Sequence, residues 1–185
     1  SGGHSLASSS SAGGNVTIAA GSSRSGQGGA LTLKSGAAAN QASGGLIVAS
    51  GLSMQDSGLI SARTGSSAAG SSGSIHMTSG DAQTMSGGIL VRAGTGAVSG
   101  GDVKVRAGNA DSTGGRGGSV SLRSGYGISG SGDIIISSMD SNLGSGSLVM
   151  RTGSTSTGTA GSIEMVAGRK DDLSETRGEV QTSSE

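Results

Sequence analysis

Cysteine, proline, phenylalanine and tryptophan are absent from this 185-residue chain, and Tyr126 is its one aromatic residue. Without cysteine there is no disulfide framework and no thiolate metal site, and thiols say nothing about redox compartment. Without aromatics, too few large side chains remain for the core of a two-layer domain. Charge is sparse as well: 12 basic and 12 acidic residues cancel. That balance argues against a general nucleic-acid binder, which carries an excess of Lys and Arg. No apolar run approaches the roughly 18 to 20 residues that span a bilayer. No signal peptide is visible, and the first residue is Ser1 rather than Met, as expected of a mature product or a fragment.

Glycine and serine are abundant, at 39 and 40 residues. Such a composition predicts a flexible linker unless the apolar residues are periodic. They are periodic. One unit, Gly-x-h-x-h-x-small-Gly with h apolar, begins at Gly14, Gly29, Gly44, Gly58, Gly73, Gly87, Gly101, Gly118, Gly132, Gly146 and Gly161. These are copies 1 to 11, and their starts lie 14 or 15 residues apart, with one interval of 17. Only copy 9 lacks its closing glycine, which Met139 replaces.

Each copy alternates like a short strand, with apolar side chains at its third and fifth places. The pairs run from Val16/Ile18 and Leu31/Leu33 to Leu148/Met150 and Ile163/Met165, aliphatic residues suited to a pleated surface. Recurrent glycine, at about 1 kcal/mol each relative to Ala, disfavours helix. The six to nine residues between copies look like the return leg of a coil, with small-Gly pairs supplying positive φ at the corners. One coil cannot fold alone, so stacking must provide the stability.

The expected fold is therefore all-β: a narrow, two-sided parallel β-solenoid of about 12–13 coils, a rod roughly 60 Å long. Residues 1–185 form a single repeat array, with degenerate coils at 1–13 and 178–185 and turn insertions at 109–117 and 169–177. The second insertion holds the one charge cluster, Arg169, Lys170, Asp171, Asp172, Glu175 and Arg177, expected to be a solvated loop or a docking contact. No polar cap is evident at either end, which suggests a segment of a longer array or subunits that stack end to end.

Catalytic chemistry finds little support. His4 and His76 fall about five coils apart, roughly 24 Å in such a rod, too far to share a site. Gly125-Tyr-Gly-Ile-Ser-Gly130 matches a dinucleotide fingerprint, but no helix follows and so many glycines make the match uninformative. Gly80-Asp81, Gly101-Asp102 and Gly132-Asp133 lack the period of a calcium-binding roll and are expected to be turn residues. No cofactor or metal is expected.

The outward places are more telling. The sixth place is basic in six copies: Lys34, Arg63, Arg92, Arg106, Arg123 and Arg151. Such a ladder suits an anionic polysaccharide or carboxylates on a neighbouring chain; equally, it serves as a solubilising edge. The fourth place begins as Thr17 and Thr32, the start of an ice-binding row, and then turns mixed. Ile47, Leu90, Ile135 and Val149 put aliphatics on that face, a candidate packing face for another copy. Asn15-Val-Thr17 is an N-glycosylation sequon, with Asn15 the acceptor, and Ser8 to Ser11, Ser71 to Ser72 and Ser154 to Thr159 could carry O-glycans if the protein is secreted.

The unit Gly28-Gly29-Ala-Leu-Thr-Leu-Lys-Ser35-Gly36 resembles those of Gly/Ser-rich tandem-repeat β-solenoid segments in extracellular or surface fibre proteins of algae, protists and microbes. The resemblance covers nearly the whole chain, and the period also resembles that of plant ice-binding β-rolls. It implies an extracellular or cell-surface location and a structural role, and it transfers no active-site residue. The expected function is a non-enzymatic rod that assembles with copies of itself into filaments, or an adhesin shaft. Polysaccharide binding through the basic ladder is the alternative, and ice binding stands third.

Overall fold

The computed structural model describes residues 13–168 and Val180. The chain divides into two units, Ser1–Leu90 and Val91–Glu185. Copies 1 to 5 fall in the first and copies 7 to 11 in the second. The degenerate copies and the 169–177 insertion, with its charge cluster, lie almost wholly outside the described residues.

The sequence period survives in the backbone. Every copy runs without turn or bend, and every intervening loop carries one change of direction. In the first unit these fall at 24–26, 39–41, 54–55, 68–70 and 83–84. In the second they fall at 97–98, 112–114, 128–129, 142–143 and 156–158.

The expected β-solenoid does not form. Among the described residues there is no strand, no sheet and no helix, so the all-β class and the stacked coils are overturned. A solenoid coil is held by backbone hydrogen bonds to the coils on either side of it. Six backbone–backbone bonds are present among the described residues, and none involves the h-x-h stretch of any copy. A folded domain carries about one hydrogen bond per residue. The cause lies in the composition. Ordering each residue costs about 1–2 kcal/mol of backbone entropy, while a fully buried aliphatic returns about 1.5–3 kcal/mol. Only two places in each period of 14 or 15 residues are regularly aliphatic, so apolar burial within one chain cannot hold coil against coil.

No described residue is buried, and only Ala93, Gly127 and Ala167 are partly so. The alternation expected of an extended segment is nonetheless present in side-chain exposure. Ile134 and Ile136 are 53% and 59% exposed, whereas Ile135 between them is 83% exposed. Apolar residues of the loops, such as Leu143 at 102%, are fully solvated. The third and fifth places thus remain the more sheltered face without becoming a core.

What does hold the backbone is a neck between the end of one copy and the start of the next. The opening-glycine N–H of copies 2, 3, 7, 8 and 9 donates to the carbonyl of the preceding closing glycine. The pairs are Gly29 to Gly21, Gly44 to Gly36, Gly101 to Gly94, Gly118 to Gly108 and Gly132 to Gly125, at 2.8–3.0 Å. Each bond cinches the loop between those two glycines. The opening glycine also lies against the small residue that precedes the closing place. A Cβ on Gly29 would sit 3.3 Å from the Ala20 Cβ, one on Gly101 3.3 Å from that of Ala93, and one on Gly118 3.4 Å from that of Ala107. The approach recurs at copies without the bond, as at Gly146 against Ser138 at 3.5 Å. Where the small residue is Thr64 or Thr152, its methyl faces Gly73 or Gly161 at 3.5 and 3.4 Å and no neck bond closes.

The closing glycines behave differently. A Cβ on Gly21, Gly36, Gly51, Gly65, Gly94, Gly125 or Gly153 would meet nothing within 4 Å. That open space explains how Met139 occupies the equivalent place in copy 9. The expectation of positive φ at the corners is also corrected. Gly114, at φ 82°, is the one described residue in the left-handed region. It is the third residue of the Ser112–Gly115 turn, closed by Gly115 N–H to the Ser112 carbonyl at 2.9 Å, where a turn of type II needs that conformation. Elsewhere hydroxyls shape the bends: Gly26, Gly70 and Gly158 N–H donate to Ser23 Oγ, Ser67 Oγ and Thr155 Oγ1, three residues back, at 2.9–3.1 Å. Gly96 and Gly127 are required for another reason, because a Cβ there would collide with the carbonyl oxygens of Ser99 and Gly130.

Candidate functional site

Chemistry-bearing residues of the copies sit at the second, fourth and sixth places, which share one side of an extended segment. About 13 Å of backbone separates the second from the sixth. Lys34, Arg63, Arg92, Arg106, Arg123 and Arg151 all take the sixth place and are exposed. Lys34, Arg92, Arg106 and Arg123 each stand immediately before the small residue of a closed neck, so their backbone is positioned even though their side chains are free in solvent; no neck bond closes after Arg63 or Arg151. None of the six has an ion-pair partner among the described residues. The ion pair found there joins Lys104 Nζ to Asp102 Oδ2 at 2.6 Å, across the fourth and second places of copy 7.

That pair changes the meaning of the Gly-Asp steps. Asp102 and Asp133 are not turn residues, since the bends at 97–98 and 128–129 lie in the loops before them. Both occupy the second place of a straight segment, whereas Asp81 begins a loop. The sequence signal was the shared place after the opening glycine, which a search for calcium ligands by fixed period passes over. No group of three or more His, Asp or Glu side chains that could hold a metal ion occurs among the described residues.

Ile47, Leu90, Ile135 and Val149 are exposed at the fourth place, as expected of a face that no part of the same unit covers. They mark the copies that are aliphatic at three consecutive places. Leu46-Ile47-Val48, Ile134-Ile135-Ile136 and Leu148-Val149-Met150 therefore present apolar side chains on two opposite sides. Asn15 and Thr17 are both exposed, so the sequon is accessible. His76 is exposed at a fourth place, and His4 lies outside the described residues. Gly125 to Gly130 belongs to a loop that Gly132 N–H closes onto the Gly125 carbonyl, at 3.0 Å, with no helix after it. No helix among the described residues is long and apolar enough to cross a membrane.

No protein-family model, curated protein or solved structure matches this chain.

Proposed function

We propose that this chain is a non-enzymatic structural protein that assembles with copies of itself, outside the cell or at its surface. The observation that carries the reading is the half-exposed aliphatic pair repeated in nearly every copy, with no described residue buried. Each such side chain has realised less than half of the roughly 1.5–3 kcal/mol available from full burial. Association is the way to recover the rest, and it would order segments that a single chain does not order by pairing with itself. The backbone groups of the h-x-h stretches have no hydrogen-bond partner among the described residues, which supports the same reading. Serine- and glycine-rich loops keep the remaining surface hydrated, and Asn15 and the serine clusters offer places for glycans. Analytical ultracentrifugation of the natively purified full chain tests this. Concentration-dependent species above the 17.4 kDa monomer are expected. A monomer at every concentration, with or without glycans, overturns it.

A second reading is supported by the six basic residues, which are exposed and without ion pairs among the described residues. They would hold an acidic polysaccharide by charge, with affinity falling steeply as salt is added. Isothermal titration with a sulfated or uronate polymer measures it. If the variant with all six changed to Gln binds as well as the natural chain, the reading fails.

A further inference from the structure

The second unit carries a charge order that the first does not. Copy 9 begins with an acid at its second place, Asp133, and copy 10 ends with a base at its sixth, Arg151. Between them copy 9 contributes Ile134-Ile135-Ile136 and copy 10 contributes Leu148-Val149-Met150. All six aliphatics are exposed by half or more, and neither Asp133 nor Arg151 has an ion-pair partner among the described residues. The backbone of both stretches is unpaired among the described residues.

We infer that residues 133–137 pair, backbone to backbone and antiparallel, with residues 147–151 of a second copy of this chain. The inference rests on the self-assembly proposed above and names its contact and register. With Ile135 set opposite Val149 of the partner copy, Ile134 meets Met150, Ile136 meets Leu148, Ser137 meets Ser147, and Asp133 meets Arg151. Every apolar place then faces an apolar place, and the one charge on each segment faces its opposite. Directly opposed side chains on paired extended segments interact at this range, with opposite charges favourable and like charges unfavourable. Parallel pairing of each segment with its own counterpart sets Asp133 against Asp133 and Arg151 against Arg151. A shift of one residue moves each aliphatic set to the other face and separates the charges. Charge and apolar pattern together favour this direction and register over parallel self-pairing and over a one-residue slip.

The arrangement is reciprocal. While copy 9 of one chain engages copy 10 of its partner, copy 10 of the first engages copy 9 of the second. The same patch is used on both chains, as in an isologous two-fold dimer. Two Asp133–Arg151 pairs and twelve aliphatic side chains enter one contact.

A charge-exchange experiment on the full-length chain tests this, read by sedimentation equilibrium. Asp133→Arg alone places two Arg pairs in opposition, and Arg151→Asp alone places two Asp pairs in opposition. Each variant is expected to self-associate about tenfold more weakly than the natural chain, since both pairs change sign. An equimolar mixture of the two variants is expected to regain natural affinity. In the mixed dimer the introduced arginine faces the introduced aspartate, and the Arg151 kept by one variant faces the Asp133 kept by the other. The chain has no cysteine, so Ile135→Cys and Val149→Cys give a clean register probe. Oxidising a mixture of these two should yield the mixed disulfide, with Ile135→Cys alone giving little. Single exchanges that leave association unchanged, or a mixture as weak as its components, would overturn the contact while leaving self-assembly standing. A natural chain that stays monomeric would overturn both.

Discussion

The two units share a backbone and differ in where they place acids. In the first, the described acids Asp56 and Asp81 both lie in loops, and the second places of its copies, Asn15, Ala30, Gly45, Leu59 and Ser74, carry no charge. In the second unit, Asp102, Asp133 and Glu164 stand on the straight segments, alongside Arg106, Arg123 and Arg151. The necks and bends are built alike in both, with neck bonds at Gly29 and Gly44 in one and at Gly101, Gly118 and Gly132 in the other. Repetition fixes the local path of the backbone, and the variable outward places decide what each stretch can recognise. Aliphatic exposure alone offers many registers; an acid at the start of one segment and a base at the end of another narrow the choice.

The largest effect should come from placing a charge in each aliphatic face. Ile135→Asp combined with Val149→Asp is expected to weaken self-association by about 100-fold, since unpaired carboxylates would have to be buried. Ile47→Asp combined with Leu90→Asp in the first unit is expected to change it by less than about threefold, because no acid there fixes a register. Sedimentation equilibrium on both double variants measures the difference, and equal losses would erase the distinction between the units.

Salt sharpens the same contrast. Raising ionic strength from about 0.05 to about 1 M should weaken association about tenfold through screening of the exposed ion pairs. In the Asp133→Asn, Arg151→Gln variant the salt dependence should vanish. An association that tightens with salt in the natural chain would point to apolar contact alone.

The neck, common to both units, should respond to which glycine is changed rather than to where it lies. A Cβ on Gly118 would be 3.3 Å from the Gly108 backbone nitrogen, while one on Gly125 meets nothing within 4 Å. Gly118→Ala is expected to open the Gly118–Gly108 bond and speed exchange of that amide about tenfold, a crowding cost of roughly 1 kcal/mol. Gly125→Ala should leave the Gly132 amide unchanged. Amide exchange followed by NMR measures both, and Gly29→Ala in the first unit should behave as Gly118→Ala does.

The smallest effect concerns Lys104 and Asp102. Their side chains are 75% and 70% exposed, so a double-mutant cycle on amide protection should give a coupling below about 1 kcal/mol.

Much of the local design was legible from residues alone. The 14- to 15-residue period, the boundaries of each copy and the alternation at its third and fifth places all reappear in the backbone path and in exposure. The solenoid did not follow, because alternation states which side of a segment seeks cover and not whether the cover belongs to the same chain. Val16 and Ile18 carry the same pattern whether their partner is the next copy or another molecule. Positive φ does not follow from glycine at the corners, because glycine has more than one use. Here Gly29 and Gly118 serve close approach, Gly96 and Gly127 make room for a carbonyl, and Gly114 alone among the described residues takes the left-handed conformation. Asp133 reads as a turn residue from its Gly-Asp step, whereas it stands on a straight segment, and the partner proposed for it, Arg151, lies one copy away and emerges only when two segments are laid against each other.

Where the neck bond closes, it makes the loop a sealed bight whose length is not felt beyond it. Six residues close behind Gly94, seven behind Gly21 and nine behind Gly108, each on a bond of 2.8–3.0 Å. The Ser112–Gly115 turn sits inside the longest of these, where further residues would enlarge the bight without touching the copies on either side. For an evolving repeat, such sockets allow new surface to be gained one insertion at a time while the cadence of the array stays unchanged.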